Sequence, residues 1–259
     1  MMELDELALQ PNVMSLARGL EILRCFSAKE PRLTHSELVA HTGLPKSTVS
    51  RLTKTLVDLG YLRHDRHSKR YFVGASVLSL GYSALSNLRT TEIAKPHMQA
   101  LANSSGALVS LATRDRLSML YLETCASDTS MTLKMGRGVR MPMLTTSIGR
   151  AFLAAINDQE REYLVSNLKQ RYSSVIDGKQ IISLQKEILR FKSKGYCLSL
   201  GDWNQDVNAA ATPIFWKEAN DVIILSISGP SFMITEKILI DELAPKLMSL
   251  STHISRCLS

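Results

Sequence analysis

Leu16, Leu20, Leu23 and Phe26 recur at helical spacing, and the pattern predicts an amphipathic helix over 13–28. Lys29-Glu30-Pro31-Arg32 breaks it. Thr34 stands three residues before Glu37, the spacing of a capping box, and starts a second helix through His41. Gly43 supplies a turn. Pro45 suits the first position of a third helix, with Ser47 or Leu44 near its cap. That helix runs to about Leu59, where Gly60 offers a left-handed end. Val49, Leu52, Leu56 and Leu59 share one stripe of it and are expected to face a core; the opposite stripe carries Lys46, Ser47, Ser50, Arg51 and Lys54. Tyr61-Leu62 and Tyr71-Phe72-Val73 are short strand signals around a polar, basic tip.

Residues 75–104 return to helix. Val77, Leu78, Leu80, Leu85 and Leu88 form one apolar set; Ile93, Met98 and Leu101 form another after Thr90-Thr91, with Pro96 tolerable in the first turn of the second helix. Beyond 105 the texture changes. Ala107–Thr113 and Leu117–Glu123 read as strands around an Arg114-Asp115-Arg116 turn, and Thr129–Met135 as a third strand. Ser147–Ile156, Asp158–Tyr172 and Gln180–Lys194 read as helices. Tyr196–Leu200, Asn208–Phe215 and Val222–Ser228 read as strands, and Thr235–Cys257 as a closing helix. Helices packed on an antiparallel sheet make an α+β architecture. The expected division is a flexible tail at 1–12, a winged domain at 13–75, a linker helix at 76–90 and a second domain at 91–259.

Composition narrows this little: 259 residues, 45% hydrophobic and 21% charged, describe a soluble chain of two domains. No apolar run is long enough for a membrane span, and the opening MMELDELALQPN is acidic rather than basic-then-apolar, so the cytoplasm is the expected compartment. Four cysteines without a C-x-x-C spacing read as separate thiols rather than a disulfide framework or zinc knuckle. The net charge of +7 is more informative in its distribution. Residues 44–70 hold seven Lys and Arg against two Asp. Such a patch suits a polyanion, because each neutralised phosphate releases counterions. A solvated basic face is the plainer reading; the helix pattern around it favours the first.

Helix, glycine turn, helix and basic hairpin follow the order of a winged helix-turn-helix, which lays its second helix in the DNA major groove. Ser47, Ser50 and Arg51 are expected towards bases, and Lys46, Lys54, Arg66, Lys69 and Arg70 towards phosphates. Thr34, Pro45 and Thr48 lie close to the same surface, Thr48 near the helix N-terminus that favours phosphate. One such domain makes few base contacts, so specific sites usually need two copies. Leu78, Leu85 and Leu88 serve equally well as a pairing strip for a second subunit or as intrachain core.

Enzymatic readings find less support. The histidines are His35, His41, His64, His67, His97 and His253, none adjoining Ser147, Ser226 or Cys197 in sequence. There is no G-x-S-x-G, and Gly136-Arg137-Gly138 is too short for a phosphate loop. His64-x-x-His67 lacks acidic or cysteine partners at metal spacing. No enzyme activity, cofactor or metal is expected. The reading kept beside the regulator is a small-molecule-binding or catalytic α+β domain whose winged module makes protein contacts.

The chain resembles the IclR (isocitrate-lyase-regulator type) family of bacterial transcription factors over nearly its whole length. SLARGLEILRCF at 15–26 is similar to the family's opening helix, LTHSELVAHTGLPKSTVSRLTKTLVDLGYL at 33–62 to its helix-turn-helix, and YFVGASVLSLG at 71–81 to its wing exit. MPMLTTSIGRAFLA at 141–154, KGYCLSLGDWNQDVNAAATPIF at 194–215 and ILSISGP at 224–230 resemble blocks of its second domain. The resemblance implies a GAF-like effector-binding domain and a homodimer through the N-terminal domain, often paired into a dimer of dimers. It implies double-stranded operator DNA and a small organic or aromatic acid of catabolism as partners, with room for a contact to RNA polymerase. By position it points to an effector cleft at Met135, Met143, Ser147, Ile148, Gly149, Asp202, Ala209, Ser226 and Ser228. The chemistry is compatible. Ser147-Ile148-Gly149 would open a helix whose free amides bind a carboxylate, Ser226 and Ser228 share a strand face, and methionines make adaptable walls. Asp202, next to Trp203, would contact the ligand or shape the loop, and alanine at 209 offers no hydrogen bond.

Overall fold

The computed structural model describes residues 13–86, 89–127, 135–173, 176–216 and 221–258. The expected tail at 1–12 and most of the strand expected at Thr129–Met135 lie outside the described residues. The chain divides into two compact units, Met1–Asn87 and Leu88–Ser259.

The first unit contains α1 (Met14–Arg24), β1 (Arg32–Thr34), α2 (His35–Thr42), α3 (Lys46–Asp58), β2 (Leu62–Asp65), β3 (Arg70–Val73) and α4 (Ala75–Ser86). Its core joins Ile22 of α1 and Phe26, which follows the end of that helix at Arg24 rather than lying inside one that runs to 28, to Leu33, Leu38, Val49 and Leu62. The capping box forms: the Thr34 amide donates to the Glu37 carboxylate at 2.7 Å and the Glu37 amide to Thr34 Oγ1 at 3.3 Å. Gly43 ends α2 at φ 66, a left-handed conformation that glycine adopts without a Cβ penalty, and its amide returns to Val39 O.

Three expectations change here. Pro45 is the N-cap of α3 rather than its first helical residue. Leu59 is 61% exposed and leaves the core stripe. Thr53 takes an inward place instead, its hydroxyl donating to Val49 O at 2.8 Å so that this oxygen is not buried unpaired. And β1, too short to display an alternation, pairs with β3 to give a three-stranded antiparallel sheet of order β1-β3-β2. Outside the core, Leu16 and Leu20 of α1 and Leu78, Leu80 and Tyr82 of α4 are exposed, so intrachain burial does not account for Leu78.

The second unit contains α5 (Arg89–Ser105), β4 (Leu108–Asp115), β5 (Ser118–Cys125), β6 (Arg140–Pro142), α6 (Ser147–Ala155), α7 (Asp158–Arg171), α8 (Gly178–Lys194), β7 (Cys197–Leu200), β8 (Val207–Trp216), β9 (Asp221–Pro230), the short α9 (Glu236–Ile238) and α10 (Ala244–Leu258). Its six strands form one antiparallel sheet of order β6-β5-β4-β9-β8-β7. Alternation divides the strand residues between two cores. Val109, Leu111, Leu225 and Ile227 pack under α5 and α10. Ala112, Tyr121, Ala211 and Ile224 pack under α6, α7 and α8.

The element order follows the sequence pattern, with local differences. Residues 140–142 pair with 118–120 as β6, which three residues could not announce. Pro96 lies in the interior of α5, not its first turn, because the helix already begins at Arg89; its side is exposed, where a lost amide bond is solvated. The closing helix is interrupted by a π-helical turn at Leu239–Leu243. Pro245, two residues beyond, has no amide hydrogen to donate to this turn, a sufficient cause for the widened ladder. At the outer edge, β7 hands both backbone groups of Leu198 to buried charged side chains. Its amide donates to Glu187 Oε2 at 2.6 Å and its carbonyl accepts from Arg150 Nη1 at 2.9 Å.

Candidate nucleic-acid interface and effector cavity

α3 is the most cationic element of the first unit that also has a free face. Val49 and Thr53 are buried, whereas Lys46, Ser47, Ser50, Arg51 and Lys54 are all exposed; Thr48 is half-buried at the first turn. Exposed Pro45 sets φ at −55 before them, and its carbonyl accepts the Thr48 and Val49 amides. The wing tip carries exposed Arg66 and Lys69, Lys69 at φ 54. Asp65 holds this tip in shape. Its carboxylate accepts the Ser68 hydroxyl at 2.7 Å and the His67 amide at 3.0 Å, bonds that keep its carboxyl below the usual aspartate value.

Two expected DNA residues have other duties. The Thr34 hydroxyl is spent in the cap of α2. Arg70 donates to Arg32 O at 3.0 Å and sits 3.6 Å from Glu37, so it braces β3 against β1 and α2. Conversely, residues not singled out as binding residues in the sequence stand out in this unit. His35 Nε2 lies 3.0 Å from Ser50 Oγ. Arg32 and Arg63 flank the Phe72 ring, 5.0 and 5.8 Å from its centroid, because the three are opposite one another in register across the sheet. That row could be read only once β1 was known to be a strand.

The second unit holds a cavity between the sheet and the start of α6. Of the nine expected positions, Met135, Ser147, Ile148, Ala209, Ser226 and Ser228 line it. Tyr121, Met141, Thr146, Ser199, Trp203 and Val207 complete the wall. Three expected residues do not line it. Met143 is core, 1% exposed. Gly149 lets α6 approach the preceding loop: a Cβ there would stand 2.2 Å from Met143 O. Asp202 accepts from Arg150 Nη1 at 2.9 Å.

Arg150 organises this end of the unit. It is 2% exposed and binds Leu144 O, Leu198 O and Asp202, tying the loop before α6 to β7 and to the loop after it. Thr146 caps α6, accepting the Gly149 amide at 3.2 Å while donating to Pro142 O at 2.5 Å. The amides of Ser147 and Ile148 therefore remain unbonded within the helix at the cavity. Ser199 is committed to Thr145 O at 2.7 Å. Among the described residues the hydroxyls of Ser147, Ser226 and Ser228 have no protein partner. Deeper on the same sheet face, Ser110 stands opposite Ser226, fully buried and without a well-formed hydrogen bond. Burial pushes the Tyr121 phenol up to about 12, with nearby Ser110 offsetting part of the effect, so the phenol stays a neutral donor. The cavity is small, about 30 Å³, against roughly 300 Å³ at the lower end of ligand pockets, so a ligand must displace flexible walls such as Met135 and Met141.

Family models match both units: an IclR helix-turn-helix domain over residues 15–66 and the C-terminal domain of bacterial transcriptional regulator IclR over 82–256. The chain belongs to the IclR family. It is 36% identical over 248 residues to the HTH-type transcriptional regulator TsaQ1/TsaQ2 of Comamonas testosteroni, covering 93% of this chain and 87% of that protein. The crystal structure of an IclR-family transcriptional regulator from Brucella abortus superposes with a TM-score of 0.89 at 40% identity, covering 95% of this chain and 93% of the other. An IclR homologue from Microbacterium hydrocarbonoxydans, solved with 4-hydroxybenzoate, shares the fold at a TM-score of 0.73 and 20% identity, covering 94% and 98%. IclR-family proteins are transcriptional regulators, not enzymes, which sets aside the catalytic alternative. Among the described residues no helix is long and apolar enough to cross a membrane. The 141–154 block that carried the family resemblance is the segment that gives the cavity Met141, Thr146, Ser147 and Ile148.

Proposed function

We propose that this IclR-family regulator reads a partly palindromic operator as a dimer or dimer of dimers, and that a small organic acid, aromatic in character, occupies the C-terminal cavity and alters that binding. The observation that carries the DNA half is the division of α3 into a buried Val49–Thr53 side and an exposed side of Lys46, Ser47, Ser50, Arg51 and Lys54. The exposed leucines of α1 and α4 offer the pairing strip that two-headed binding needs. RNA polymerase is a further partner in this reading. The effector half rests on free α6 amides and serine hydroxyls in the lining of a cavity that also has apolar walls, groups suited to a carboxylate on an apolar body. The 4-hydroxybenzoate bound by a fold relative is of that class. The ligand acts only as far as it prefers one arrangement of the heads, and a coupling of about 1–3 kcal/mol suffices.

Duplex binding by fluorescence anisotropy tests the first half. Affinity should fall steeply with salt, and Lys46→Ala with Arg51→Ala should abolish it. A thermal-shift series of aromatic acids tests the second: 4-hydroxybenzoate or a congener should raise the melting temperature, and Ser226→Leu should remove the rise. An unchanged rise in Ser226→Leu sinks the placement of the ligand.

A further inference from the structure

The Ser50–His35 hydrogen bond joins the exposed face of α3 to the first residue of α2. Its meaning for DNA rests on the proposal that α3 enters the groove. Alone, a serine hydroxyl is a permissive reader: it rotates to donate to guanine or thymine, or to accept from adenine or cytosine. A fixed partner removes that freedom. A neutral imidazole has one N–H and one bare nitrogen, and which is which depends on what the other nitrogen binds. Nε2 faces Ser50; among the described residues the other nitrogen, Nδ1, has no protein partner. The nearby carboxylate of Glu37 is already held by Thr34 and by Arg70 of β3. In helix-turn-helix proteins the first helix of the motif crosses the phosphate backbone, and His35 stands at the N-terminus of that helix, the end that attracts anions.

We infer that His35 positions Ser50 as a one-way reader. Nδ1–H donates to a DNA phosphate oxygen, Nε2 accepts the Ser50 hydroxyl hydrogen, and Ser50 Oγ is left with lone pairs alone towards the groove. It then selects a base with a major-groove amino group, adenine through N6 or cytosine through N4. His35 is thus a specificity-determining residue that touches no base.

Selection of binding sites from randomised duplexes tests this with the full-length chain and its Ser50→Ala, His35→Leu and His35→Gln variants. Wild type should favour adenine or cytosine at one strand position of each half-site by about five- to tenfold, the scale of one net hydrogen bond. Ser50→Ala and His35→Leu should each flatten that same position to below about twofold and leave the others unchanged. His35→Gln, whose amide oxygen accepts the serine hydrogen, should restore the preference in part. Guanine or thymine at the position that Ser50→Ala relaxes would overturn the inference. So would a His35→Leu profile identical to wild type. Duplex binding that survives loss of both Lys46 and Arg51 would instead remove the groove-reading premise, and with it the inference. Ser50 is exposed and His35 only half-buried, so melting temperatures near wild type will separate a change in reading from a loss of fold.

Discussion

At the scale of single residues, the second unit depends on a few buried charges whose partners are backbone groups. Arg150 supplies hydrogens to two carbonyls and one carboxylate. Arg150→Met keeps the volume but strands Leu144 O and Leu198 O, a loss of about 3–5 kcal/mol in urea unfolding. Asp202→Asn should cost far less, since its carboxylate is 36% exposed and keeps an amide oxygen in place. Glu123 shows the opposite balance. Burial alone would raise its carboxyl, but the Arg137 guanidinium, the Thr124 amide and Lys95 outweigh that and hold it below the ordinary glutamate value. A depressed folded-state value stabilises the protein above the ordinary carboxylate range, and the contribution is lost as pH falls through the lowered value. Wild type should therefore lose stability in that acid window more steeply than Glu123→Gln, measured by chemical unfolding across pH. No sequence pattern announces either residue: Arg150 meets Leu198 and Asp202 across 48 and 52 positions. What the sequence does announce is chemistry repeated locally, such as Thr34 and Glu37.

At the scale of elements, that local signal is strong for helices and weak for short strands. Thr34→Ala removes the hydroxyl that receives the Glu37 amide and should cost about 1 kcal/mol, read as a lower urea midpoint. Leu59→Lys should stay within about 0.5 kcal/mol of wild type, because its side chain already faces solvent. The second variant tests the misjudged stripe of α3. Periodicity counts Leu59 as apolar and Thr53 as polar, but the helix turns Thr53 inward and satisfies its hydroxyl on its own backbone. β1 and β6 escape prediction for a different reason: three residues contain barely one alternation, so their state is decided by the partner strand. In the cavity, Ser147, Ile148, Ala209, Ser226 and Ser228 were reachable through family resemblance and strand alternation. Tyr121 and Ser199 were not, because they arrive from strands that only the sheet order brings alongside.

At the scale of the whole molecule, thiol chemistry offers a simple check of how the units are packed. Burial pushes the Cys25 thiol up to about 11, with Glu21 and Glu30 adding to it. Burial likewise raises Cys125 and Cys197. Cys257 is exposed on α10. Native protein should react with a thiol reagent at one fast site, Cys257, and at three slow ones that open on denaturation; two or more fast thiols would contradict the packing. The β7 margin has a wider consequence. A bare strand margin invites a neighbour's strand to add on, and that route leads to runaway fibres. Here the two groups a newcomer would need at Leu198 are already taken by Glu187 and Arg150, so docking there would strand two ions in a dry interior. At this margin of the sheet, then, a fold built to hold one loop and one strand together also refuses a foreign strand.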